Sequence, residues 1–166
     1  MRTAAVLTIS DSCAQGKRAD RSGPATAELL RQEGFDVTHQ EIVPDDQPII
    51  EAALVSLSDQ VQLIVTTGGT GIAARDVTPE ATRAVCSKLI EGIPERMRSE
   101  GTANTSYALL SRGVCGVRGR TLILNLPGSP AGASESLLAV IEILPHALDL
   151  LAGETVHDDA HPPRDE

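Results

Sequence analysis

The sequence predicts an α/β domain, a three-layer sandwich whose mostly parallel central sheet carries helices on both faces. Two patterns and one size argument predict it. Short apolar, β-branched runs alternate along the chain with helix-length amphipathic stretches. The clearest run, Val61 to Thr67, is short, apolar and β-branched in character, as strands covered on both sides are. At 166 residues the chain is the size of one domain that can bury a core without staples.

The elements follow in order. Ala4 to Ile9 reads as the first strand, and Ser22 as the cap of a helix that starts near Pro24 and ends at Gly34. Val37 to Val43 is a more polar, alternating strand, expected near a sheet edge. Asp45 or Asp46 caps a helix from Gln47 to Leu57, whose Ile49, Ile50, Ala53, Leu54 and Leu57 recur at helical spacing. Val61 to Thr66 is the third strand. Thr78 reads as the N-cap of a helix from Pro79 to Lys88, with Pro79 at its first position and Glu80 favourable to the dipole. Between Ile90 and Arg112, Gly92-Ile93-Pro94 and Gly101 break the pattern into two short helices around a loop. Val114 to Arg118 and Thr121 to Leu126 are strands joined at Gly119. Ala131 to Leu151 reads as one long helix kinked at Pro145.

Residues 1–152 therefore form one domain, without linker or internal repeat, and 153–166 read as a frayed acidic tail. That tail holds Glu154, Asp158, Asp159, Asp165 and Glu166 against Arg164. His157 and His161 within it are taken as solvated rather than metal-ligating. The formal net charge of −9 disfavours nucleic acid and acidic membranes as partners. Phe35 and Tyr107 are the only aromatics, so the core is aliphatic and no base-stacking platform exists. Cys13, Cys86 and Cys115 are odd in number and lack a CxxC pair, which excludes a disulfide framework or zinc site and fits a reducing cytoplasm. Cys86 and Cys115 read as core residues, whereas Cys13 is placed at an exposed strand end. No apolar run approaches membrane-spanning length.

Four strand ends carry candidate chemistry. After Val61 to Thr67 come Gly68, Gly69, Thr70 and Gly71, whose glycines permit positive φ and close approach of a ligand, and then Asp76, a candidate ligand for a hard cation. The segment is neither a Walker A loop nor a GxGxxG fingerprint, and by itself it is equally a simple turn. Ser10 and Asp11 end the first strand ahead of a long polar loop. After the second strand, one aspartate suffices as N-cap, which leaves Asp45 to share a Mg²⁺ with Asp76. Asn125, Leu126, Pro127, Gly128 and Ser129 lead into the last helix, whose N-terminus is an anion site. A doubly wound sheet gathers such ends on one rim, which predicts a phosphate-bearing ligand with a divalent cation.

The segments TISDS (Thr8 to Ser12), VPDD (Val43 to Asp46), TTGGTGIAARDVTPEAT (Thr66 to Thr82), IPERMR (Ile93 to Arg98) and LLSRGVCGVRGRTLILNLPGSP (Leu109 to Pro130) carry a family resemblance. Together they closely resemble the molybdenum cofactor biosynthesis proteins of the Mog and MoaB type, which share their domain with gephyrin G. The resemblance runs in order over nearly the whole chain.

It implies a molybdopterin adenylyltransferase that uses Mg²⁺ and ATP to convert the terminal phosphate of molybdopterin into an AMP ester, releasing pyrophosphate. By motif, Asp45 and Asp76 match the essential, metal-holding carboxylates. Gly68, Gly69, Thr70 and Gly71 match the nucleotide and phosphate loop, Ser10 and Asp11 the SD motif, and Ser111 a serine near the pterin. Asn125, Pro127, Gly128 and Ser129 match the segment at the edge of the site. Arg75, Arg96 and Arg112 are candidate phosphate clamps. The resemblance further implies a homotrimer or hexamer and hand-off of product to a MoeA-like metal insertase. A pterin-binding MoaB-like module without catalysis, and a scaffold domain cut from a larger protein, stand as the alternatives.

Overall fold

The computed structural model describes residues 1–154, so the His157 and His161 reading and most of the acidic tail lie outside the described residues. Its centre is a six-stranded sheet built from β1 (Arg2–Ile9), β2 (Phe35–Val43), β3 (Leu63–Thr67), β4 (Lys88–Leu89), β5 (Cys115–Arg118) and β6 (Thr121–Leu126). The strands lie in the order β2-β1-β3-β6-β5-β4. The first four in that order are mutually parallel, and β5 and β4 add antiparallel at one edge. Strand β2 takes the opposite edge, which explains its polar alternation: one side of its ladder is unpaired and most of its side chains reach water.

Among the described residues, seven helices accompany the sheet: α1 (Asp11–Ala14), α2 (Ser22–Gln32), α3 (Gln47–Ser58), α4 (Thr78–Val85), α5 (Gly92–Gly101), α6 (Pro130–Leu138) and α7 (Leu144–Ala152). The alternation of side chains along each strand divides the core in two. Ala4, Val6, Leu63, Val65, Leu122 and Leu124 join α2, α5, α6 and α7 through Leu30, Met97, Leu137 and Leu148. Ala5, Leu7, Ile64 and Ile123 face the other way, onto Ile50, Leu54 and Leu57 of α3 and Ala81 of α4. The expected sandwich is thus present, and its core is almost wholly aliphatic. Leu30, Ile50 and Leu54 are fully buried, each stabilising the fold by roughly 1.5–3 kcal/mol relative to exposure.

Several local expectations need correction. Ser22 is the first residue of α2 rather than its cap. The capping acceptor is Asp20, whose Oδ1 takes the Gly23 N–H at 3.0 Å. Thr78 likewise lies inside α4, which starts one residue early because the Thr78 hydroxyl is drawn to the carbonyl of Gly68 at 2.9 Å. That helix stops at Val85, where the chain turns to add the short edge strand β4.

Gly92-Ile93-Pro94 forms the first turn of α5 instead of breaking it, since an N–H there has no intrahelical partner to lose. Gly101 does end that helix, and a 3₁₀ turn over Ser106–Leu110 follows. The long final helix is not kinked but divided. Residues Ile141–Ile143 form a 3₁₀ turn and Pro145 sits in the first turn of α7, where its missing N–H costs nothing. Cys13 is buried rather than exposed.

Candidate active site

The C-terminal ends of β1, β2, β3 and β6 meet on one rim, as parallel neighbours must. The turn after β3 has its backbone fully committed on one side. Gly68 has φ +94°, and a Cβ there would collide with the carbonyl oxygen of Ile9. Gly69 has φ +65°, and its Cβ would strike the Thr78 hydroxyl. Side chains other than glycine are strained at such angles. Gly71 does not share the positive φ expected of it. Its hydrogen atom instead makes room for the Asp76 carboxylate, which a Cβ would approach to 2.8 Å.

Four successive carbonyls of this turn point into the protein. Gly68 O accepts from the Thr78 hydroxyl at 2.9 Å and Gly69 O from the Thr78 N–H at 3.1 Å. Thr70 O accepts from the Arg112 N–H at 2.8 Å and Gly71 O from Arg112 Nε at 2.7 Å. The opposite ends of the same peptides behave differently. Among the described residues, the N–H groups of Gly69, Thr70 and Gly71 donate to no acceptor. A run of unpaired amides with its carbonyls turned away is an anion-binding nest.

Arg112 is therefore a brace, not a phosphate clamp. Its Nη2 reaches Asp76 O at 2.8 Å and its Nη1 pairs with Glu80. That pairing holds the Glu80 carboxyl below the ordinary carboxylate range and raises the guanidinium. Arg96 is paired along its own helix with Glu100 at 3.1 Å and lines neither of the two cavities on the rim.

Asp45 and Asp11 hold each other in register across the ends of β1 and β2. Asp45 Oδ2 accepts the Asp11 N–H, Asp11 Oδ1 accepts the Asp45 N–H, and both bonds are 2.9 Å. Asp46, not Asp45, caps α3 by accepting from Ile49 N–H at 3.1 Å. Burial raises the Asp45 carboxyl above its ordinary value; the Asp11 backbone bond and the Arg75 charge oppose this, while the charges of Asp11 and Asp76 add to it. Asp76 Oδ2 accepts the Ala73 N–H at 3.0 Å. In both Asp45 and Asp76, Oδ1 accepts no hydrogen bond from the described residues.

Asp45 and Asp76 face one cavity, and the described residues contain no cluster of three or more His, Cys, Asp or Glu arranged for a metal. Two hard oxygen donors without a complete protein cage match the manner in which Mg²⁺ is held, with water and substrate phosphate completing its shell. The chain's own residues thus fit that ion.

Two cavities flank the glycine turn. The larger, of about 710 Å³, is lined by Ser10, Asp45, Gly68, Gly69 and Asp76. The smaller, of about 330 Å³, is lined by Thr70, Gly71, Ser111 and Pro127, together with apolar Pro94 and Met97. They share Gly128 and Ser129. Ser129 Oγ caps α6 by accepting from Gly132 N–H at 3.1 Å.

Besides Arg96 and Arg112, two residues assigned to the site by sequence do not line either cavity. Asp11 spends its carboxylate on Asp45. Asn125 is fully buried, donating to the hydroxyls of Thr66 at 3.0 Å and Thr82 at 2.9 Å and accepting from Val114 N–H at 3.2 Å. Asn125 is a strut beneath the rim.

Arg18, Asp20 and Arg21, from the polar loop whose length suggested a binding role, line the larger cavity, whereas Arg98 and Glu135 of the smaller were overlooked by sequence reasoning. Nothing local marks the last two, because they arrive from helices distant in sequence. Arg75 does line the larger cavity, as expected of one of the three arginines.

Residues 5–146 match the family model described as "Probable molybdopterin binding domain". A molybdopterin adenylyltransferase of Helicobacter pylori strain J99 is 43% identical over 152 residues, covering 89% of this chain and 86% of the relative. The molybdenum cofactor synthesis protein cinnamon of Drosophila melanogaster is 45% identical over 92% of this chain, which spans only 26% of that longer protein. Among solved structures, the molybdopterin biosynthesis enzyme MoaB of Thermus thermophilus superposes with a TM-score of 0.87 at 50% identity, covering 92% of this chain and 98% of that one.

Proposed function

The chain belongs to the molybdenum cofactor biosynthesis family of molybdopterin-binding domains, and from that premise we propose that it is a molybdopterin adenylyltransferase. One observation carries the reading: the unpaired amides of Gly69, Thr70 and Gly71 lie between two cavities, one holding the Asp45 and Asp76 carboxylates and the other Ser111. Two substrates that exchange a phosphoryl-type group need such an arrangement, because transfer depends on positioning and charge stabilisation more than on a strong base.

In this reading ATP occupies the larger cavity and the pterin the smaller. A terminal phosphate oxygen of molybdopterin forms a bond to the α-phosphorus of ATP, the bond from that phosphorus to the bridging oxygen breaks, and pyrophosphate leaves with the electron pair. The amides of the glycine turn bind the phosphoryl oxygens and stabilise their added charge. Asp45 and Asp76 would hold Mg²⁺, which would supply Lewis-acid polarisation of the phosphates. Asp11 keeps Asp45 in place through the paired 2.9 Å bonds, and Gly128 and Ser129 form the shared edge across which the substrates meet.

The proposal extends to a single catalytic domain through residue 152, a homotrimeric or hexameric assembly, a cytoplasmic location and onward transfer of the product to a MoeA-like insertase. No helix among the described residues is long and apolar enough to cross a membrane. Incubation with ATP, Mg²⁺ and molybdopterin is expected to yield pyrophosphate and adenylylated pterin in equal amounts, and Asp76→Asn to abolish both. Pterin binding without pyrophosphate from the wild-type protein would make this chain a non-catalytic carrier.

A further inference from the structure

Charge balance in the larger cavity leaves a requirement that the carboxylates and their cation do not meet. Asp45 and Asp76 together carry two negative charges, which one divalent cation only neutralises. The polyphosphate of ATP then needs another source of positive charge. Three arginines line this cavity, Arg18, Arg21 and Arg75, and none of them lines the smaller one. The remaining lining acid, Asp20, is committed to the fold: its Oδ1 accepts from Gly23 N–H at 3.0 Å and its Oδ2 from the Thr8 hydroxyl at 2.6 Å.

The three arginines differ in what they are already doing. Arg18 leans on the Ser10 hydroxyl at 3.4 Å. Arg21, which precedes α2, makes no side-chain hydrogen bond or ion pair with the described residues, but it does not adjoin Asp76 in the chain and its charge is not among those acting on Asp45. Arg75 makes no hydrogen bond or ion pair with the described residues, adjoins Asp76 in the chain, and lies close enough to Asp45 for its charge to act on that carboxyl. An exposed guanidinium left unpaired beside two carboxylates, in a cavity with an open anion nest, is placed to receive a ligand rather than to support the fold.

Direction narrows its role. In-line displacement sets the attacking and leaving oxygens on opposite sides of the phosphorus. With the pterin phosphate entering from the smaller cavity across Gly128 and Ser129, the leaving group points away, into the cavity that Arg75 lines. The geometry points to Arg75 as a catalytic residue that grips the β- and γ-phosphates of ATP and stabilises the pyrophosphate as the bond to the α-phosphorus breaks. This inference rests on the adenylyl-transfer reading and adds to it a residue and a substrate portion.

The test compares binding of ATP, pyrophosphate and AMP, each with Mg²⁺, by titration calorimetry of the wild-type protein, Arg75→Ala and Arg75→Lys, alongside the rate of pyrophosphate release. AMP lacks the phosphates that Arg75 would hold. The expected result for Arg75→Ala is ATP and pyrophosphate binding weakened about tenfold to a hundredfold, the magnitude of a charge-assisted hydrogen bond. AMP and pterin binding should stay within about twofold of wild type, turnover should fall about a hundredfold, and lysine should restore part of the loss. Equal weakening of ATP and AMP, or no weakening of either, overturns the assignment. A wild-type protein that binds no ATP overturns the adenylyl-transfer reading beneath it, and the Arg75 assignment with it.

Discussion

Replacing Asn125 with alanine separates a strut from a substrate contact. The side chain is fully buried and uses its carbonyl oxygen to accept from Val114 N–H, and its amide to donate to the Thr66 and Thr82 hydroxyls. Alanine strands the Val114 amide, at about 1–3 kcal/mol, and removes two further bonds worth about 0.5–1.5 kcal/mol each. The expected loss is therefore about 2–6 kcal/mol. With a urea m-value of about 2 kcal/mol/M for a domain of this size, the midpoint should fall by about 1–3 M. The chain has no tryptophan, so far-UV circular dichroism is the suitable probe. ATP affinity, measured under native conditions without urea, should remain within about threefold of wild type, because no atom of Asn125 lines either cavity. A midpoint shift below about 0.5 M accompanied by a tenfold loss of ATP affinity would refute the reasoning and return Asn125 to the substrate.

Gly68→Ala should cost about 3 kcal/mol, combining roughly 1–2 for the left-handed backbone with further overpacking against Ile9 O; thermal unfolding reads this directly, and a loss below about 1 kcal/mol would mean that the turn can relax. Asp45→Asn should abolish adenylyl transfer yet leave the melting temperature at pH 7 equal or higher. The sign follows from the raised carboxyl: the folded state holds the Asp45 proton more tightly than the unfolded one, so ionising it costs stability as pH rises above 3.8, and the advantage of asparagine should vanish below that pH. Glu80→Gln should act in the opposite sense, since Arg112 lowers the Glu80 carboxyl. The stabilisation is present above pH 4.5 and lost as pH falls through the lowered value, so wild type and variant should converge in acid; an unchanged gap at low pH would count against the pair. Arg112→Ala should speed amide hydrogen exchange over residues 68–78, because it removes the donors to Gly71 O and Asp76 O.

The fold was legible where a rule acts over a few residues. Leu63 to Thr67 is buried on both faces and reads so from composition alone. Ser129 caps α6 as its position before Pro130 suggests, and the polar alternation of β2 announces an edge strand. The misreadings share a cause. Thr78 and Ser22 have the chemistry of N-caps, but each hydroxyl found a stronger claim across the fold, Thr78 on Gly68 O and Ser22 on Thr67 Oγ1 at 2.9 Å. The 131–151 stretch has a continuous helical pattern, and only packing against the sheet shows that the chain stops at Leu138 and begins again at Leu144. At the site, Asp45 and Asp76 could be named from spacing and resemblance. That Asp11 serves Asp45 could not, since the bond joins residues 34 apart.

Residue order alone determined the layered α/β architecture, the aliphatic core, the family and the gathering of four strand ends on one rim, because periodicity, turn chemistry and parallel connection are local or topological properties. Tertiary structure decided the division of labour among residues that look alike in sequence. Arg75 and Arg112 are both arginines beside a glycine turn, yet one faces the cavity without a hydrogen bond or ion pair among the described residues and the other is bound to Gly71 O, Asp76 O and Glu80. Asp11 and Asp45 are both strand-end acids, yet only Asp45 faces the cavity. A polar group is available to a ligand only when the fold has not already satisfied it, and that depends on which distant atoms come within about 3 Å.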